Sequence, residues 1–416
     1  MIQSEISSND SALGSPLTKT CLALETGDSF AARSQDVVEE IVEGRRIWEV
    51  PASANTRYLS HDFFRYIGKF PPQIAAKFIL EMSKPNDLVV DPMCGGGTVL
   101  LESRLLGRRA LGWDINPVSL LVSRVVCRHI PDALLKREVT KFKNEAQDIL
   151  SPGSLFQPRR TVARERFVDG EEFFSEKTRK GLSGLMGAVA AIEKEMVREF
   201  VLVAILSILR KVSLANVKKM NIVIDPGKKS LELLPTLFAK LDRMGRINSE
   251  LGSVLGGADV VVQERDAIEP ANEGLGRAQL VVIHPPYISN TAFSESTRLQ
   301  LGLLGIQHRN IWKRELRVRG SYVHEPDGLR KYLVGWHKIL SNAFRLLKSG
   351  GYCVTVIGDG KIDFVRIPVA PITQEFGKDV GFKVAWTGEH RLNNNTGWTL
   401  SHKMKEQHMI VFRKPE

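Results

Sequence analysis

The sequence predicts an α/β fold: an open Rossmann-like sheet with helices on both faces and one inserted helical lobe. Three observations lead there. Short β-like runs alternate with helical stretches from about residue 47 onward, the pattern of strands covered by crossover helices. A strongly apolar run at 88–91 enters a triple-glycine turn and then a helical pattern, as in sheets that bind a nucleoside at a strand end. Residues 128–255 are too many for a plain crossover and too helical for a loop, so they form an insertion.

The elements follow in order. Residues 1–40 are Ser-rich and weakly patterned, and are expected to be a disordered or loosely attached tail. They lack the basic-then-apolar order of a signal peptide. A helix is expected at 71–82, a strand at 87–91, a helix at 99–106, a strand at 109–114 and a helix at 117–127. The inserted lobe, 128–255, has helical stretches at 178–198 and 200–212 and is a candidate for target recognition. Strands follow at 259–263 and 279–284, then a basic variable stretch at 288–330. A helix at 331–347 is expected to end at Gly350 and Gly351, before strands at 352–357, 383–386 and 408–412. The catalytic domain is thus read as 41–127 plus 256–416.

Composition narrows the function. With 416 residues, 43% of them hydrophobic, the chain can bury an ordinary core without disulfides or a structural metal. Cys21, Cys94, Cys127 and Cys353 are scattered, with no metal-like spacing. They read as free thiols of a cytoplasmic protein, and no metal is expected. The 58 Lys and Arg against 47 acids give a net charge of +11, which fits a polyanionic partner but is also found in proteins that bind none. No apolar run approaches the roughly 18 residues of a membrane span.

The richest local signal is LVVDPMCGGGTVLLESRLLGRRALGWDINP, residues 88–117. A strand ends on Asp91, turns through three glycines and enters a helix near Thr98; the next strand ends on Asp114. Glycine lets a ligand lie against bare backbone, and an acid at the second strand's end can accept from a ribose diol. A nicotinamide dinucleotide enzyme is the alternative, but GGG after DPMC is not GxGxxG, and the turn lacks a phosphate-gripping Lys.

DPMCGGGT followed by GWDINP resembles motifs I and II of class I S-adenosylmethionine methyltransferases, in the variant used by enzymes that methylate base amino groups. The resemblance implies S-adenosyl-L-methionine as cofactor, with Asp91, Gly95 and Gly97 along its methionine portion and Asp114 on its ribose. Pro92, Cys94, Thr98 and Ile115 complete that wall, Cys94 mainly as a small packing residue. Asp266 matches the acid that meets the adenine amino group. The segment HDFFRYIGKFPPQIAAKFI (61–79) is similar to the one that closes the methionine end, which nominates Lys69 and Phe70.

A second signal is LVVIHPPYISN, residues 280–290, where a buried-looking strand runs into His284, Pro285, Pro286 and Tyr287. Prolines at a strand end donate no ladder bonds, so their carbonyls can face a ligand, and Tyr287 offers a face on which an extruded base can stack. An exocyclic amine is a poor nucleophile; acceptors on its hydrogens, here the Pro285 carbonyl and the side chain at 284, make it a better one. The tetrapeptide resembles motif IV of amino-methyltransferases, which reads Asp, Asn or Ser before Pro-Pro-Tyr, and departs from it at His284. Cytosine C5 chemistry is excluded by the absence of a Pro-Cys nucleophile.

The resemblance to the N4-cytosine/N6-adenine DNA methylase group covers 60–127 and 258–414. It implies duplex DNA with a flipped base as substrate, N4-cytosine slightly ahead of N6-adenine, and restriction or epigenetic marking as the setting. Arg309, Lys313, Arg314, Arg317 and Arg319 are the candidate nucleic-acid contacts, with Arg159, Arg160, Arg164 and Arg166 as a second group. Asp359 is a turn acid or a substrate contact. Two other readings stay open: a tRNA base methyltransferase, and an inactive relative that binds nucleic acid as a scaffold. Oligomeric state is not readable.

Overall fold

A computed structural model describes residues 37–66, 68–69, 71–151, 169–271, 275–288, 293–318, 327–392 and 406–416. In chain order the elements begin with strands β1 (Val38–Val42) and β2 (Arg45–Glu49), helix α1 (Pro72–Met82), β3 (Leu88–Asp91), α2 (Thr98–Leu105), β4 (Arg109–Asp114) and α3 (Pro117–Val126). The insertion supplies α4 (Asp132–Leu150), α5 (Glu176–Ala190), α6 (Glu195–Ile208) and α7 (Leu233–Val254). Then come β5 (Val260–Glu264), β6 (Ala278–Ile283), three short helices α8 (Phe293–Ser296), α9 (Arg298–Leu303) and α10 (His308–Trp312), and the long α11 (Gly328–Leu346). The chain closes with β7 (Leu347–Ile357), β8 (Gly360–Ile362), β9 (Val365–Ile367), α12 (Val369–Val380), β10 (Lys383–Arg391) and β11 (Glu406–Arg413).

Among the described residues nine strands form one sheet in the order β1-β2-β10-β11-β7-β6-β3-β4-β5, and β8 pairs with β9. The pairs β4–β5, β3–β4, β3–β6 and β6–β7 are parallel, and β11 runs antiparallel to both β7 and β10. From β3 the chain builds outward to β4 and β5 on one side, then returns to place β6 and β7 on the other. The expected α/β class is therefore present, with every strand of the sequence reading in it.

The sheet is buried on both faces, so its central strands are apolar throughout rather than alternating. Val89, Leu280, Val282, Val354, Val356, Met409 and Val411 point to the α1 side. Val90, Val281, Ile283, Cys353, Ile410 and Phe412 point to α11 and α12. Local chemistry sets the helix starts: Pro117 takes the first turn of α3, and the Asn116 side chain accepts from the Val118 N–H at 3.0 Å.

Helices of the insertion share one core with the catalytic sheet's own helices. Val118, Val122 and Val126 of α3 belong to the same buried cluster as Phe200, Val201 and Ile205 of α6 and Leu237 and Leu241 of α7. Phe63 meets Phe200 edge-on at 5.7 Å. The helical content expected of 128–255 is found, and α4 and α7 are additions to it.

Two expectations are corrected. Residues 38–40, assigned to the loose tail, are the start of β1, because the β1–β2 hairpin joins the sheet edge through β10. Trp48 of β2 is fully buried there against Phe78 at 4.6 Å and Trp386 at 5.6 Å. Second, α11 is not capped by Gly350 and Gly351. It passes directly into β7, and the Lys414 ammonium donates to the carbonyls of Phe344 at 2.8 Å and Leu347 at 2.7 Å, so a distant cation satisfies the helix end.

The hairpin's seat makes a test. Gly388 of β10 faces Arg46 of β2, and a Cβ there would overlap the Arg46 carbonyl. Gly388→Ala should destabilise the protein by about 1–3 kcal/mol, read as a lower urea midpoint, and should raise protease cleavage within 38–49.

Candidate active site

β3 delivers Asp91, which is buried, to the start of the glycine turn, where its Oδ1 accepts from the Met93 N–H at 3.0 Å. Pro92 and Cys94 are buried behind the turn; the Cys94 thiol lies 3.6 Å from the Ser123 hydroxyl, as a packing residue would. Gly95 and Gly97 have φ of 48° and 78°, left-handed values that favour glycine. Gly97 is also pressed against α3, with Ser123 Cα 3.0 Å from where a Cβ would be. Thr98 opens α2 and is buried.

β4 pairs in parallel with β3 and carries Asp114 to the same edge. Its carboxylate accepts from the Gly95 N–H at 2.9 Å and the Asn116 N–H at 2.8 Å, so the second acid is tied to the turn itself. Ile115 beside it packs on the core shared with the insertion. Asp266 follows β5, the next strand out, and its Oδ1 accepts from the Ile268 N–H at 3.0 Å.

The electrostatics are unusual. Burial pushes the Asp91 carboxyl up to about 7, against its hydrogen bond from Met93 and helped by the neighbouring Asp114. Burial likewise raises Asp114 to about 6. Glu315, within the stretch read as basic, is a third such group, pushed to about 7 by burial with Asp114 contributing. Its Oε1 accepts from the Ser294 N–H at 2.7 Å, while its Oε2 is buried with no partner among the described residues. Three carboxyls held toward neutrality suit an occupant that brings positive charge.

Tyr66 covers the turn. Its ring lies 2.9 Å from where a Cβ on Gly95 or Gly96 would sit, and its hydroxyl hydrogen-bonds Ser119 at 2.8 Å. Phe293 stacks on it at 6.2 Å. Within 61–79 it is thus Tyr66 that meets the glycines. Lys69 is corrected: its ammonium donates to the His61 carbonyl at 2.9 Å, in a buried polar cluster where His61 and Tyr58 also bond Glu102. Burial holds Lys69 down to about 7. Phe70 lies outside the described residues. Tyr66 was missed because an aromatic in an amphipathic stretch reads as core, and Glu315 because its neighbours are cations.

The His-Pro-Pro-Tyr loop leaves β6, which pairs in parallel with β3. The loop is clamped from two sides. Tyr332 of α11 donates to the Pro286 carbonyl at 2.8 Å, so that carbonyl does not face a ligand as expected. On the other side, Gln407 Nε2 donates to the Tyr287 hydroxyl at 2.6 Å, and Gln407 Oε1 is 3.0 Å from His390 Nδ1. Tyr287 Oη is in turn 2.7 Å from His284 Nε2.

The Gln407 amide donates to the Tyr287 hydroxyl, and that hydroxyl shares a second hydrogen bond with His284 Nε2, whose direction is set by the His284 tautomer. Burial and the nearby His390 keep His284 neutral, its pKa lowered to about 4. His284 Nε2 is thus engaged by Tyr287, which reaches back across the turn. The Pro285 carbonyl remains as an acceptor.

The cations of 288–330 are only partly available. Arg309 and Lys313 are exposed. Arg314 lies 3.3 Å from Glu264, and Arg317 stacks on Trp312 at 3.5 Å. Arg319, Arg159, Arg160, Arg164 and Arg166 lie outside the described residues. Asp359 is a structural acid: it accepts from the Val369 N–H at 3.0 Å at the start of α12 and pairs with Arg366 at 2.6 Å. Among the described residues there is no cluster of metal-binding side chains, and no helix is long and apolar enough to cross a membrane.

Sheet order, glycine turn and acid-tipped second strand are those of the class I S-adenosylmethionine-dependent methyltransferase fold. The three raised carboxyls fit that cofactor's cationic amino-acid end and its hydroxyls. The family profile described as "DNA methylase" matches residues 27–122, and over that stretch the chain is similar to that N6/N4 methylase family. The type II methyltransferase M.MjaII of Methanocaldococcus jannaschii is 28% identical over 120 residues, 29% of this chain and 21% of the relative. The type II methyltransferase M.MvaI of Kocuria varians is 30% identical over 100 residues, 23% of this chain and 22% of the relative. The matched stretch spans only about a fifth of either relative's length. A solved SAM-dependent methyltransferase of Methanosarcina mazei aligns over 81% of this chain and 97% of its own, at 11% identity and a TM-score of 0.32.

The raised Asp91 has a measurable consequence. Its folded pKa of about 7 lies above the ordinary 3.8, so the folded state holds a proton that the unfolded state releases. Its contribution to stability is full below about 4 and is lost as pH rises toward 7. In cofactor-free protein, Asp91→Asn should flatten the fall of Tm between pH 5 and 8; an unchanged slope would place the effect elsewhere.

Proposed function

We propose that this chain methylates an exocyclic amino group of a base in DNA, N4 of cytosine ahead of N6 of adenine, by direct methyl transfer. One observation carries the reading. The glycine turn after β3 and the His-Pro-Pro-Tyr loop after β6 leave neighbouring parallel strands at the same sheet edge, where the chain's connections diverge. Such a switch point is the usual ligand crevice of an open α/β sheet.

S-adenosyl-L-methionine, when bound, supplies an electrophilic methyl group. The chain's residues supply position and charge. Gly95 and Gly96 leave the turn without side chains beneath Tyr66, and Asp91, Asp114 and Glu315 provide acceptors in a dry setting where hydrogen bonds to charged groups are strong. Ile115 borders the same edge beside Asp114, and Asp266 lies one strand further out. A base in a duplex must be extruded to reach this crevice. Tyr287 offers its ring to the extruded base, and the Pro285 carbonyl accepts a hydrogen of the target amine, drawing the nitrogen lone pair out of conjugation. His284 acts through Tyr287: it holds the hydroxyl and so the angle of the ring, rather than contacting the amine. No covalent enzyme intermediate is needed, and Cys94 is buried away from such a role.

The test is transfer of a tritiated methyl group into duplex DNA and, in parallel, into total tRNA. Label in DNA, reduced about 10- to 100-fold by Tyr287→Ala through the lost stacking, would support the reading, and nucleoside analysis would name the base. Label in tRNA alone would overturn the substrate. Cofactor binding without transfer to either would identify an inactive relative.

A further inference from the structure

A second basic surface, unrelated to the cations of 288–330, is assembled from three segments that are far apart in sequence. Asp62 is its centre. Its side chain is only 2% exposed, yet Arg57 and Arg243 both pair with it, Arg243 Nε at 2.7 Å, and Lys240 Nζ donates to its carbonyl at 2.9 Å. Arg57 and Arg243 keep 69% and 57% of their side-chain surface in solvent. One buried carboxylate therefore pairs with two arginines, and the backbone carbonyl of the same residue holds a third cation.

Beside it lies the loop between α6 and α7, residues 213–231, which is rigidly built. Lys228 Nζ donates to the carbonyls of Ser213 and Ala215, both at 2.7 Å, and to that of Arg210. The Arg210 guanidinium donates to the carbonyls of Asn216 at 3.1 Å and Met220 at 2.8 Å. With its interior ties made by these two cations, the loop presents Lys218 and Lys219 outward, both exposed, and Lys211 is exposed at its base.

The loop is tied to both walls of the crevice. Arg65 Nη1, one residue before the tyrosine that covers the glycine turn, donates to the Val217 carbonyl at 2.8 Å. Arg210 Nη2 donates to the carbonyl of Ser296 in α8, a few residues after the His-Pro-Pro-Tyr loop, at 3.1 Å. Burial lowers Lys240 to about 8, against the pull of Asp62, and the like charges of Arg243, Lys211 and Arg57 add to the shift. Crowding of this kind costs stability in the free protein and is relieved by a polyanion.

We propose that Arg57, Arg65, Lys211, Lys218, Lys219 and Arg243 form the face that holds the phosphodiester backbone of the nucleic acid beside the crevice. This rests on the reading of the chain as a nucleic-acid base methyltransferase, and it gives the insertion its role: a backbone clamp. Phosphate neutralisation releases counterions, so each contact adds about 0.9 to the slope of log affinity against log salt on duplex DNA, and about 0.7 on single strands.

The experiment measures binding of the full chain to a fluorescent 30-base-pair duplex, and to tRNA, from about 50 to 300 mM NaCl. The triple variant K211Q/K218Q/K219Q is compared with wild type and with R309Q/K313Q. The triple should lower the slope on the favoured polymer by about 2–3 and weaken binding at least 30-fold near 100 mM salt. Its affinity for S-adenosylmethionine, read by calorimetry, should be unchanged, which reports an intact fold. A slope equal to wild type in the triple, or a larger loss in R309Q/K313Q, would overturn the proposal. Failure of methyl transfer in wild type, with the salt slope still lost in the triple, would sink the proposed reaction and leave the clamp standing.

Discussion

The parallel pairing of β3 with β6 is the constraint on which the rest depends. It sets two loop-bearing strand ends side by side, one carrying three glycines and the other two prolines and a tyrosine. Because both sheet faces are covered, the pair cannot slide without exposing Val89 and Leu280 on one side and Val90 and Val281 on the other. Register there is register of the site. The insertion reinforces it, since α3, which backs the glycine turn through Ser123, shares its core with α6 and α7.

Charge is distributed around that pair in two opposed ways. Inside the crevice, Asp91 is buried and Asp114 and Glu315 are half-buried, and burial raises all three toward neutrality. Outside it, Arg57, Lys240 and Arg243 converge on the single Asp62. Each arrangement is unfavourable alone, and each fits a ligand of opposite sign: a cationic cofactor within, a polyanion across the mouth. Stability given up at such positions is expected where binding restores it.

Much of this was legible in the sequence. The strands at 87–91, 109–114 and 279–284 were readable because continuous apolar runs bounded by glycine, proline or an acid have few other solutions in an α/β chain. The glycine turn was readable because only bare backbone there makes sense of three glycines in a row. Position 284 shows where such reading stops. A histidine before Pro-Pro-Tyr is an acceptor on paper. Whether its lone pair is available depends on Gln407 and His390, which arrive on β11 and β10 more than a hundred residues later.

The sequence by itself determined the class of fold, the glycine turn and the position of the His-Pro-Pro-Tyr loop, because these rest on local chemistry: backbone freedom, strand ends and runs of apolar residues. Only the tertiary structure decided which groups meet. It put Tyr66 rather than Lys69 on the glycines, gave the end of α11 to Lys414, and added Glu315 to the acids. It also gathered Arg57, Lys211 and Arg243 from separate segments onto one face. Burial and pairing are properties of the neighbours a side chain acquires on folding, and no pattern along the chain encodes them at a fixed spacing.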